Sequence, residues 1–185
     1  MKTYLAFLRG INVGGHHKIL MKDLRELLNS IGFKDVKTYI QSGNIIFKSD
    51  IESNSLLEEK ILNIIKDKYN YNIDVVVKQP QGIQAILDNS PFDQLITEKA
   101  YFILLKKPPS SQNIEQISSI HYPDEEFFVT SKVVYLYCKK GYGRTKCNNL
   151  FFEKNLNVIT TARNYKTLNK VLEISKVSNT LFKVL

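Results

Sequence analysis

The 185-residue sequence predicts an α+β protein built from two consecutive βαββαβ units with mostly antiparallel sheets. Three observations carry that prediction. β-rich runs alternate with stretches of helical period, in the order strand, helix, strand, strand, helix, strand, and this order can be read twice. Hydrophobic residues make up 43% of the chain, enough for a globular core. Only five prolines and 24% charged residues argue against long disorder. The duplication is one of element order, without a residue-level repeat.

The first unit is assigned to residues 1–80. Thr3–Leu8 reads as its opening strand, followed by a glycine-rich loop over 10–18. Leu20, Leu24, Leu27, Leu28 and Ile31 recur at helical spacing, and Gly32 suits the left-handed position just past a helix end. Val36–Ile40 and Ile45–Phe47 form a hairpin whose positive φ angles are expected at Gly43 and Asn44. Ser55 with Glu58 reads as a capping box, opening a helix with Leu57, Ile61, Ile64, Ile65 and Tyr69 on one face. Ile73–Val77 is apolar on both faces and is expected at the centre of the sheet. This is the ferredoxin-like order.

Residues 81–98 read as a connector with a short helix around 83–87, and residues 99–185 as the second unit with a C-terminal helix. Tyr101–Leu105 is a strand that Pro108-Pro109 ends. Ser111 starts a helix, Phe127–Thr130 and Val133–Cys138 pair through a tight turn, and 149–155 is helical. Val158-Ile159 is expected as a short last strand. Asn164–Ser175 is expected as a final helix capped by Thr160 or Thr161.

The net charge of +8 is unevenly placed. Residues 1–131 carry 15 basic and 16 acidic side chains, and residues 132–185 carry 11 and 2. A basic last third favours an anionic partner, or else is a solvated surface. Apolar runs are too short for a membrane span, and the opening run is too short for a secretory leader. Cys138 and Cys147 read as reduced thiols of a cytoplasmic protein. No CxxC or HxxxH spacing suggests a metal, no G-x-S-x-G suggests a nucleophile, and no cofactor or reaction is specified.

Four polar clusters fall in turns. Arg9 to Gly15 follows the first strand, and Gly14-Gly15 can turn backbone N–H groups toward an anion, although neither GxxxxGK[ST] nor GxGxxG is present. Gln41, Ser42 and Asn44 supply neutral donors and acceptors. Lys139 to Cys147 is a basic glycine loop that suits phosphate or carboxylate, with Lys146 near Cys147, whose pKa such a loop could lower. In the stretch 160–166, Arg163 in a first helical turn would oppose the helix dipole unless an anion joined it. Each cluster also has a plainer reading as ordinary turn chemistry. Tyr135 and Tyr137, alternating on one strand, offer a weaker case for stacking nucleic-acid bases.

LRGINVGG at 8–15, TYIQSGN at 38–44 and TTARNYKTLNKV at 160–171 resemble the signatures of a widespread bacterial family, domain of unknown function 1697. The resemblance implies a duplicated ferredoxin-like fold and no assigned activity. It gives added weight to Arg9, Asn12, Gly14, Gly15, Gln41, Ser42, Gly43, Asn44, Lys146, Arg163 and Asn164. The chain departs from the family at His16-His17, where members carry asparagine-like residues, and at Tyr165, where they carry Trp. The first departure argues against a shared metal role.

The leading expectation is a binding module or small enzyme that holds a nucleotide or phosphorylated metabolite between the two units. Arg9, Lys146 and Arg163 would contact the anion, and Asn12, Gly14, Gly15, Gln41, Ser42, Asn44 and Asn164 would line the site. The alternatives are nucleic-acid binding through the basic third, and polar clusters that pin the fold and bind nothing.

Overall fold

The computed structural model describes residues 1–180. The chain forms two compact units, Met1–Ile83 together with the chain from Asn169 onward, and Gln84–Leu168.

In the first unit the elements are β1 (Lys2–Leu8), α1 (Met21–Ser30), β2 (Lys34–Tyr39), β3 (Asn44–Ser49), α2 (Asn54–Tyr69) and β4 (Val75–Lys78). The sheet runs β2-β3-β1-β4, and every pair is antiparallel. Tyr4, Ala6 and Leu8 of β1 join Ile45, Phe47, Val75 and Val77 on the face that receives Leu24 and Leu28 of α1 and Leu57, Ile61 and Ile65 of α2. The alternate residues Leu5, Phe7, Ile46 and Val76 are buried as well. Both sheet faces are therefore covered, which is why the strands read as unbroken apolar runs.

That covering corrects one expectation. β4 lies at the sheet edge beside β1, not at the centre. Its valines are apolar on both sides because both faces are covered, and α2 packs along the strand. The capping box is also overturned. Ser53 is the N-cap of α2, accepting from Leu56 N at 3.3 Å, and Ser55 already lies inside the helix. Glu58 faces inward, where its carboxylate accepts from Val77 N at 2.8 Å and ties the helix to β4. α1 ends as expected, with Ile31 as its cap and Gly32 at φ +93°. In the β2–β3 turn the positive φ angles belong to Ile40 and Gly43, and Asn44 is the first residue of β3.

α3 (Pro80–Asp88) and α4 (Gln94–Thr97) precede β5 (Tyr101–Leu105), α5 (Ser111–Ser118), β6 (Glu125–Val129), β7 (Val133–Cys138), a single 3₁₀ turn (Tyr142–Arg144), α6 (Asn149–Leu156), β8 (Thr160–Asn164) and α7 (Tyr165–Thr180). The second sheet, β6-β7-β5-β8, has the same strand order as the first and is again antiparallel throughout. Ile103, Leu105, Val134 and Leu136 pack with Ile117 of α5 and Phe152 and Leu156 of α6. On the opposite face Tyr135 donates its hydroxyl to Ile86 O of α3 at 3.0 Å. The protein is thus the tandem α+β arrangement that the element order predicted.

The last strand begins two residues later than expected. Thr160, Thr161 and Ala162 pair with Leu105, Leu104 and Ile103, so these threonines are strand residues, not caps. Threonine serves both roles, and the register with β5 decides between them. The N-cap of α7 is Asn164, whose Oδ1 accepts from Thr167 N at 2.9 Å.

Candidate functional site

In the first unit, two of the four clusters converge. Asn12, held at φ +55°, donates from Nδ2 to Ile19 O at 2.9 Å and to Gln41 O at 2.8 Å, and its Oδ1 accepts from Ile19 N at 2.9 Å. One carboxamide thereby closes the glycine loop and fastens it to the hairpin turn. A second tie runs from Leu8 N to Gly43 O at 2.8 Å. Gly43 has φ +75°, and a Cβ there would stand 2.7 Å from Leu8 Cβ, so the close approach requires glycine. Asn44 is fully buried and donates to Tyr39 O and Ser42 Oγ, each at 3.0 Å. The Arg9 guanidinium lies 3.7 Å from the Asp74 carboxylate, and Arg9 N donates to Asp74 O. Gly14 and Gly15 are the exposed central pair of a turn closed by His16 N to Val13 O at 3.0 Å. Gln41 is exposed. Asn12, Ser42 and Asn44 therefore spend polar groups on the fold itself.

In the second unit the basic loop is organised by an acid that sequence reading missed. Glu125, at the start of β6, accepts from Thr145 Oγ1 at 2.7 Å, Lys146 N at 2.7 Å and Cys147 N at 2.9 Å. Burial alone would raise its carboxyl. Hydrogen bonds from Cys147, Thr145 and Lys146 outweigh burial and hold it below its ordinary range. Around this hub Asp124, Glu125, Cys138, Lys140, Gly141, Arg144, Thr145 and Lys146 line a cavity of about 290 Å³. Lys140 is paired with Asp124 at 2.6 Å, and the Lys146 ammonium lies 5.4 Å from the centre of the Tyr122 ring. Arg144 is exposed and makes no ion pair among the described residues. The acids flank the loop 20 residues earlier in the chain, so only the pairing of β6 with β7 reveals their role.

Cys147 is fully buried, and burial, reinforced by Glu125, pushes its thiol well above the usual range. The expectation of a lowered pKa is therefore overturned: the thiol lies among apolar groups and beside the Glu125 carboxylate, both of which disfavour the thiolate. Burial raises the Cys138 thiol too, and both cysteines are free.

Arg163 corrects the helix-dipole argument. It lies in β8, paired with Phe102, and not in a helical turn. Its Nη1 donates to Thr161 Oγ1 at 2.9 Å and Ala162 O at 2.8 Å. Desolvation pulls its pKa down to about 10, so it stays charged at neutral pH, and the Tyr142 phenol opposes that shift. Tyr142 also stacks on Tyr101 at 4.4 Å, and Tyr101 is the strand partner of Asn164. The third and fourth clusters thus approach each other through Tyr142. Tyr135 is 3% exposed and offers no stacking surface, whereas Tyr137 is half-buried beside Phe92.

Among the described residues no group of three or more His, Cys, Asp and Glu could hold a metal, and no helix is long and apolar enough to cross a membrane. His17 approaches Gly10 O with Nδ1 at 3.1 Å and meets the edge of the Tyr71 ring.

No curated protein matches the chain. Among solved structures it resembles the conserved bacterial protein SP0830 from Streptococcus pneumoniae, with 27% identity and a TM-score of 0.73, over 95% of this chain and 99% of that one. A sequence model described as "Protein of unknown function (DUF1697)" matches residues 1–135, a stretch that includes the LRGINVGG and TYIQSGN motifs and stops before TTARNYKTLNKV. The chain belongs to that family, DUF1697.

Proposed function

We propose that this protein binds a small phosphorylated or carboxylated metabolite in the cavity of the 139–147 loop. The observation that carries the reading is the cavity of about 290 Å³ bearing Arg144 and Lys146, whose shape Glu125 fixes from below. Lys140 balances Asp124, and Glu125 spends its oxygens on the loop, which leaves Arg144 and Lys146 as the cations available to a ligand. The volume lies at the small end for ligand sites, and suits a sugar phosphate or mononucleotide better than a dinucleotide. This is narrower than the expectation from sequence, because Asn12, Ser42, Asn44 and Arg163 are engaged within their own units. We further read the strand order as ferredoxin-like and the protein as a bacterial cytoplasmic one.

Scanning fluorimetry with inorganic phosphate, sugar phosphates, mononucleotides and dicarboxylates tests the proposal. At least one of these should raise Tm, and Arg144→Ala should abolish the shift without lowering the apo Tm. A panel with no shift, or a shift that survives both Arg144→Ala and Lys146→Ala, overturns it.

A further inference from the structure

The Asn12 carboxamide gathers three exposed aliphatic residues. It bonds Ile19 O and Gln41 O; Val13 follows Asn12, Leu20 follows Ile19, and Ile40 precedes Gln41. Successive Cα atoms are about 3.8 Å apart, so all three belong to one surface patch. Their exposures are 64%, 68% and 51%, against nearly complete burial for the neighbouring Ile11 and Ile19.

Two of the three break a local rule. Leu20 occupies the N-cap of α1 and gives it no side-chain hydrogen bond, at a position where Ser, Thr, Asp or Asn would supply one. Ile40 sits at φ +48°, in the left-handed region that β-branched residues avoid. Neither recovers the loss by burial. Residues that oppose local preference without a packing return concentrate where a surface is used.

The segments that carry the patch are basic, with Asp23 and Glu26 following on α1. Residues 9–22 and 36–49 contain no Asp or Glu and carry Arg9, Lys18, Lys22, Lys37 and Lys48. Asp74 lies beside Arg9, Asp35 pairs with Lys48 at 2.7 Å, and Glu26 stands 4.0 Å from Lys22. Lys18, Lys22 and Lys37 stand on the segments that carry Leu20 and Ile40.

We propose that Val13, Leu20 and Ile40 form a docking face for a peptide segment of a partner protein that presents aliphatic side chains among acidic ones. The aliphatic groups supply contact area, and the lysines select the charge. A lipid surface fits less well, because the three exposed residues are all aliphatic and the apolar side of α1 is already buried in the core.

Fluorescence anisotropy with labelled synthetic peptides tests this, using leucine alternating with aspartate and glutamate, and a matched set with lysine for the acids. The acidic set should bind, weakening as salt rises. Leu20→Ser and Ile40→Gly should each weaken binding about tenfold or more. Both replacements suit the local backbone, so both variants should keep or raise Tm, which separates lost contact from lost fold. Arg144→Ala, in the other unit, should leave peptide binding unchanged. The proposal fails if no acidic peptide binds, if lysine peptides bind equally, or if both variants retain full affinity. It also fails if the patch residues prove to govern only sedimentation with phosphatidylglycerol vesicles or self-association of the chain.

Discussion

Asn12 and Gln41 are 29 positions apart, yet the Asn12 carboxamide donates to the Gln41 carbonyl at 2.8 Å. That bond makes the glycine loop and the hairpin turn one body. Asn12→Ala removes three hydrogen bonds and places alanine at φ +55°. The expected loss is about 2–4 kcal/mol, measured by urea denaturation. Asn12→Asp should fare little better, because a carboxylate cannot donate to the two carbonyls.

Gly43 and Gly15 both have positive φ, but they differ in their surroundings. A Cβ at Gly43 meets Leu8 Cβ at 2.7 Å and Ile11 Cδ1 at 2.9 Å, while one at Gly15 meets nothing within 4 Å. Gly43→Ala should therefore cost about 3 kcal/mol or more, combining steric and backbone terms. Gly15→Ala should cost only about 1–2 kcal/mol. Equal losses in thermal or chemical unfolding would show that backbone strain alone governs both sites.

The Glu125 carboxyl is held below its ordinary value of 4.5 in the folded protein. Its contribution to stability is thus fully present above that value and is lost as pH falls through the lower folded one. Glu125→Gln should lower Tm at neutral pH. The gap between wild type and variant should narrow on acidification below about pH 4.5 and stay constant above it. A gap that widens on acidification would contradict the hydrogen-bonded carboxylate.

Burial raises both thiols and leaves Cys147 fully enclosed. In the native protein an aromatic disulfide reagent should modify Cys138 slowly, and Cys147 only after denaturant is added. Rapid reaction of Cys147 at neutral pH would show that the loop opens readily.

Much of the fold was legible because periodicity and turn chemistry are local. Leu24 and Leu28 mark the buried side of α1, and Gly32 marks its end. What escaped notice depends on partners distant in sequence. Glu58 resembled a capping partner for Ser55 until its real acceptor role toward Val77 was visible, 19 positions away. Thr160 and Thr161 resembled caps until β5 supplied a register. At the candidate site the basic side of the 139–147 loop could be read directly, and Arg144 and Lys146 line the cavity. Glu125 could not, since one acid in the run Asp124-Glu125-Glu126 carries no sign of what it will organise.

Glu125 accepts its three hydrogen bonds from the loop itself. They hold the Thr145 side chain and the backbone of Lys146 and Cys147 in place before anything enters the cavity. A loop already immobilised gives up little conformational entropy when a ligand arrives. Binding there should resemble the filling of a rigid mould: fast to seat, sensitive to ligand shape, and accompanied by little change in the amide-exchange rates of the loop.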